Sequence, residues 1–131
     1  MKLIYLPSLM FLLLFALAAK ADSIDNIAGF VKQGNTQAIG KLFAASVEFT
    51  ISGQESLYSD TQATLVLNKF FNDNKPKSVK ILHRVNSSSN YLFGVMFLTT
   101  DNGIYRISVT LSGSAGDMKI IELRIEAEKT K

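Results

Sequence analysis

From residue 77 to residue 126 the apolar positions recur at period two, in four segments separated by turn signals. Val79, Ile81, His83 and Val85 share one face of the first segment, and the small polar stretch 86–90 reads as a hairpin loop. Residues 91–99 make the second segment. Asp101-Asn102-Gly103 follows, and Asn-Gly is a strong turn signal because both residues tolerate positive φ. Tyr105, Ile107, Val109 and Leu111 alternate in the third segment, residues 112–117 turn the chain again, and residues 118–126 supply the last. Four consecutive strands joined by tight connections form an antiparallel meander. One face of such a sheet has to be covered, and the cover has to come from the residues upstream.

Upstream the period is helical. Ile24, Ile27, Ala28 and Val31 make one stripe behind Asp22-Ser23, which can cap the start. Gly34-Asn35 suits the exit of that helix and the entry of a second, on which Ala38, Ile39, Leu42 and Phe43 line one side. Two such short helices are not stable in water unless they pack on something. Val47-Glu48-Phe49-Thr50-Ile51 then alternates strictly and predicts a strand, residues 52–55 a turn, and Leu57-Tyr58 a short second strand. Ser59-x-x-Gln62 has the form of a capping box opening a third helix, whose apolar positions Ala63, Val66, Leu67, Phe70 and Phe71 fall on one core-facing stripe. Pro76 ends it, since proline cannot continue the hydrogen-bond ladder. The fold class is α+β, a sheet packed against three helices.

The strand through residues 91–98 differs from its neighbours in having no polar face. Tyr91, Phe93, Val95 and Phe97 point one way and are expected to face the core. Leu92, Met96 and Leu98 point the other way, around Gly94. Helices within the chain can cover one side only, so the other is expected to pair with a second copy. The expected homodimer surface is Leu92, Met96 and Leu98.

Residues 1–21 stand apart from all this. Met1-Lys2 is a short basic head, 9–19 an apolar run of eleven residues, and Ala19-Lys20-Ala21 has the small-x-small form of a signal-peptidase site. The run is short of the roughly 20 apolar residues a spanning helix needs and contains no later counterpart. The expected organisation is a signal peptide at 1–21 and a single domain at 22–131, exported to the periplasm or beyond, with no membrane span after cleavage. Export usually leads to an oxidising compartment, yet the chain has no cysteine, so the domain has to stand on core packing alone. Lys2 and Lys20 leave with the leader, so fourteen basic residues fall to twelve against eleven acidic ones. That balance offers no electrostatic footprint for nucleic acid.

The segments 21–43, 47–51, 57–71, 81–85 and 102–107, with the closing Ile121-Glu122-Leu123-Arg124-Ile125-Glu126, together resemble the bacterial family called domain of unknown function 4783, small secreted proteins known mainly from Bacteroidota. The resemblance covers essentially residues 21–126. It implies a nuclear-transport-factor-2-like (NTF2-like, cystatin-like) fold: a cone of three helices against a curved antiparallel sheet. Enzymes and non-enzymes share that scaffold, so the fold does not decide the function. Isomerases of the superfamily resemble a pocket with an aspartate base facing tyrosine and carboxylic-acid donors. The positions read as inward on the last four strands include no Asp or Glu, so that pattern transfers to no residue here.

Four residues are candidates for lining a cone pocket: Tyr58, His83, Tyr91 and Tyr105. His83 is the only histidine and so the one imidazole that could serve as a general base, but no serine or cysteine stands beside it in a nucleophile motif. The tyrosines pair an apolar ring with a polar tip, which serves packing as readily as ligand binding. No catalytic residue, metal cluster or cofactor motif is assigned. Asn86-Ser87-Ser88 matches a glycosylation acceptor and equally a plain polar loop. Lys80 and Arg84 are expected to share the face opposite Val79 and Ile81, with Arg106, Glu122, Arg124 and Glu126 supplying cross-strand charge pairs. The expected function is a secreted, non-catalytic binding or accessory domain, with a small apolar ligand or an envelope protein as partner besides its own copy. The alternative is a small-molecule isomerase or cyclase-like enzyme using His83 and tyrosines in a cone pocket.

Overall fold

The computed structural model describes residues 23–88, 90–114 and 116–128; the signal peptide expected at 1–21 lies outside them. The order of elements is α1 (Ser23–Gln33), α2 (Thr36–Gly40), β1 (Phe43–Ile51), β2 (Gln54–Ser59), α3 (Asp60–Asp73), β3 (Pro76–Ser88), β4 (Tyr91–Thr100), β5 (Gly103–Ser114) and β6 (Asp117–Ala127). One six-stranded sheet runs in the order β2-β1-β6-β5-β4-β3. The meander β3–β6 stands as expected. β1 adds to its open edge beside β6 and runs parallel to it, the one parallel pairing in an otherwise antiparallel sheet. α3 carries the chain from the edge strand β2 to the opposite edge strand β3.

The local signals act as their chemistry requires. Ile24, Ile27, Ala28 and Val31 of α1 are buried. Gly34 takes φ +65° to leave that helix, and the Asn35 side chain accepts the Ala38 backbone N–H at 3.1 Å to open the next. The capping box of α3 is complete: the Gln62 N–H donates to Ser59 Oγ at 3.1 Å, and the Ser59 N–H donates to Gln62 Oε1 at 3.0 Å. Ala63, Leu67, Phe70 and Phe71 are buried beneath it. α2 is shorter than the stripe suggests. It stops at Gly40, where a Cβ would lie 2.6 Å from Thr64 Oγ1 of α3. Beyond it the Leu42 carbonyl accepts the Ile120 N–H at 2.7 Å, and Phe43 already pairs with Ile120 in the sheet.

Two expectations about sheet faces are corrected. First, the parity of β4 is reversed. Leu92 packs against the core, while Met96 and Leu98 are completely buried within it, and Gly94 lies beneath Ile24 of α1. These residues face the helices, so Leu92, Met96 and Leu98 form no outer surface. Tyr91, Phe93, Val95 and Phe97 occupy the face turned away from the helices. The cause is register: Leu98, Met96, Gly94 and Leu92 pair with Tyr105, Ile107, Val109 and Leu111, and directly opposed residues share a face.

Second, β3 carries a bulge between Ile81 and His83. Ile81 pairs with Met96 on the core side, but after the extra residue Leu82 it is His83 that pairs with Val95, and Val85 with Phe93. His83 and Val85 therefore leave the face of Val79 and Ile81 and are exposed. The same shift turns Arg84 to the helix side, opposite Gly94, where its guanidinium pairs with Asp25 of α1. Lys80, paired with Phe97, stays outside, so Lys80 and Arg84 do not share a face.

Candidate functional site

The interior of the cone is filled. Between the helices and the sheet remains a void of only about 10 Å³, walled by residues such as Ile27, Ile39, Leu67, Phe71, Ile107 and Leu123. That is at the lower limit for one water molecule, and the wall is wholly apolar.

Open space lies instead along the flank of the cone, between the β1–β2 hairpin and α3. One hollow of about 410 Å³ is lined by Phe49, Ile51, Ser52, Gln54, Ser56, Tyr58 and Val66. A second, of about 350 Å³, is lined by Ile51, Ser52, Val66, Lys69, Phe70, Asp73, Asn74 and Tyr105. Ile51, Ser52 and Val66 belong to both, so the two make one furrow. The hairpin pairing explains it. Gln54, Ser56 and Tyr58 of β2 stand opposite Ile51, Phe49 and Val47 of β1, on the side toward α3. Where an edge strand would cover the helix with apolar bulk, two of the three residues are polar, and Ser56 is small. At the tight turn between the strands Ser52 takes φ +52° and Gly53 φ +81°.

Of the four candidate pocket residues, the furrow holds Tyr58 at one end and Tyr105 at the other. The Tyr58 ring lies edge-on to Phe49, with centroids 5.9 Å apart. Tyr105 lies edge-on to Phe70 at 4.9 Å, and its hydroxyl donates to Asn74 Oδ1 at 2.8 Å. Asn102, from the β4–β5 turn, reaches the same corner and donates its side-chain amide to the Asp73 carbonyl at 2.6 Å. In that turn only Gly103 takes positive φ, at +131°; Asn102 serves by tying the hairpin to the end of α3. His83 and Tyr91 are corrected. The bulge and the reversed parity put both on the outer sheet face, away from the furrow and the cone. Gln54, Ser56 and Ser52 were missed, although the polar alternation of Gln54, Ser56 and Tyr58 was visible in the sequence.

The outer face is the second candidate surface. Tyr91, Phe93, Val95 and Phe97 run along β4, with Val85 beside Phe93 on β3. Val95 is buried by its neighbours, whereas Tyr91 and Val85 are 44% and 48% exposed. Beyond β4 the face turns polar. Arg106, Ser108 and Thr110 of β5 stand opposite Glu126, Arg124 and Glu122 of β6. Thr110 Oγ1 donates to Glu122 at 3.3 Å, and Arg124 pairs with Glu126 along the same strand at 3.3 Å. Arg106 and Glu126 are cross-strand neighbours in register, as expected from the sequence. Among the described residues no group of three or more His, Cys, Asp or Glu side chains is arranged to hold a metal. None of their helices is long and apolar enough to cross a membrane.

The comparisons with known proteins agree with the fold. A protein from Bacteroides uniformis superposes with a TM-score of 0.78 at 21% identity, over 83% of this chain and 100% of its own. One from Bacteroides fragilis gives 0.73 at 24% identity, over 78% and 95%; both are described as DUF4783 family proteins. A Nostoc punctiforme domain with a cystatin-like fold gives 0.62 at 11% identity, over 84% and 81%. No curated protein matches the chain. The family model "Domain of unknown function (DUF4783)" matches residues 24–126. The chain belongs to the DUF4783 family, and its helices and mixed sheet have the NTF2-like, cystatin-like fold.

Proposed function

We propose that this is an exported, non-catalytic binding or accessory domain that works as a homodimer, paired through the outer face of its sheet. The observation that carries the reading is the apolar strip of Tyr91, Phe93, Val95, Phe97 and Val85 on the side without helices. Six residue steps along β4 make it about 20 Å long. Contiguous apolar surface of that kind on a small domain marks an interaction site. A specific interface buries about 800 Å² per partner, more than the strip alone offers, so Ser108, Thr110 and the charged rows of β6 become its polar rim. The closed interior supports the non-catalytic part of the reading, because the superfamily's usual space for a reactant is filled by side chains.

A second reading, a small-molecule isomerase or cyclase-like enzyme, draws on the furrow, whose hollows of about 410 and 350 Å³ lie within the range of small-molecule sites. His83 has no part in it, being on the opposite face. Sedimentation of the protein at tens of micromolar tests the leading reading: a dimer is expected, and a clean monomer overturns it. Turnover of a small cyclic ketone that survives His83→Asn and is lost with Tyr105→Phe supports the second.

A further inference from the structure

We propose that the furrow between the β1–β2 hairpin and α3 is a binding site for an uncharged ring molecule carrying hydroxyl or amide groups. The proposal rests on the reading of the chain as a binding domain and assigns its ligand a place and a chemical class.

The lining of the furrow favours a neutral ligand over an ionic one. The hollow beside Ser56 is lined by no charged side chain. At the other end Lys69 and Asp73 are one turn apart on α3 and satisfy each other at 3.0 Å. A carboxylate, phosphate or ammonium group beside Ser56 would give up water with no charged side chain lining that hollow to replace it.

The hydrogen-bonding groups favour a ligand with polar groups of its own over a purely apolar one. Among the described residues, the side chains of Ser52, Gln54 and Ser56 and the hydroxyl of Tyr58 make no hydrogen bond within the protein, unlike Tyr105 at the far end. Water serves these groups in the free domain. An apolar molecule would displace that water and leave them unpaired, which costs more than a made hydrogen bond contributes. A ligand with its own hydroxyl or amide edge replaces the water bond for bond. The class proposed here is thus more polar than the small apolar ligand expected from the sequence.

The rings give that ligand a flat side to rest on. Tyr58 is half-buried and held edge-on against Phe49, so its orientation is set before anything binds. Val66 and Ile51 continue the apolar floor toward Phe70.

The test is a titration of the ¹⁵N-labelled protein with 4-nitrophenyl β-glucoside, an uncharged probe with a ring and hydroxyls, against benzoate, a ring with a charge. Saturable amide shifts confined to 51–58 and 66–74 are expected with the glucoside, and none with benzoate. Ser56→Leu fills the hollow from an exposed position and is expected to weaken binding about tenfold or more, with the spectrum otherwise unchanged. Gln54→Leu, on the same face, provides a second variant if the first perturbs the fold. No saturable shift up to about 10 mM, equal shifts with benzoate, or unchanged binding by a folded variant overturns the proposal. Sedimentation of the same samples separates it from the dimer. A dimer that does not bind removes the site and leaves the pairing, and a monomer that binds does the reverse.

Discussion

Gly94 lies directly beneath Ile24: a β-carbon on the glycine would stand 2.8 Å from both Cδ1 and Cγ2 of the isoleucine. The two residues belong to the middle of β4 and the first turn of α1. Their contact sets how closely the helix lies on the sheet. Gly94→Ala should therefore cost about 1–3 kcal/mol by overpacking, with the larger value if α1 cannot shift. In an Ile24→Val background the added cost of Gly94→Ala should be smaller, because the two sites share the same space. Urea melts of the four proteins measure both effects; strict additivity would mean the contact is not made.

The start of α3 offers a cleaner test. Ser59→Ala removes one arm of the capping box and should cost about 1 kcal/mol. Phe70→Ala, which empties a buried site beside Phe71 and Tyr105, should cost about 3–5 kcal/mol. Wild-type stability for the second variant would mean that the helix does not rest on the sheet as described.

Opposite faces of β4 should answer differently to the same change. Phe93→Lys places a charge in the outer apolar strip and should convert a dimer into a folded monomer. Met96→Lys buries an unpaired ammonium in the core and should unfold the domain. Sedimentation together with circular dichroism distinguishes the two, and a folded, monomeric Met96→Lys would restore the parity expected from the sequence.

Processing of the leader is tested by sequencing the exported protein from its N-terminus. The mature chain should begin at Asp22 or within a few residues of it, after the Ala19-Lys20-Ala21 site. Recovery of intact Met1 in the membrane fraction would show an anchor instead.

Helices and strands were legible because each carries its own period and punctuation, and the family resemblance placed them in one fold. The face of β4 was legible too, but by a different route. Since Thr100 pairs with Gly103 across the turn, Leu98 has to meet Tyr105, and Met96 has to meet Ile107. The inward set of β5 therefore dictates the inward set of β4; aromatic bulk at Phe93 and Phe97 argued the wrong way. The bulge at Leu82 had no such signal. No glycine or proline marks it, and it follows from fitting β3 to β4 while Arg84 reaches Asp25. The furrow was half legible, through its two tyrosines; its polar side falls on Gln54 and Ser56, where the small polar residues read as a turn although the strand spans Gln54–Ser59.

The parallel pairing of β1 with β6 has a consequence for when this domain can fold. Ile51 and Ile125 are neighbours in the sheet but 74 positions apart in the chain. Within the sheet β1 has only the short β2 beside it until β6 arrives, and β6 is the last strand of the described residues. Closing so long a loop is slow relative to forming the hairpins, so the hairpins assemble early and the two halves of the sheet join late. A chain still missing its final eleven-residue strand would hold two separate sheets with unpaired edges. The domain is thus obliged to keep its sheet in two halves until β6 has been made, so every shorter nascent chain presents two open sheet edges.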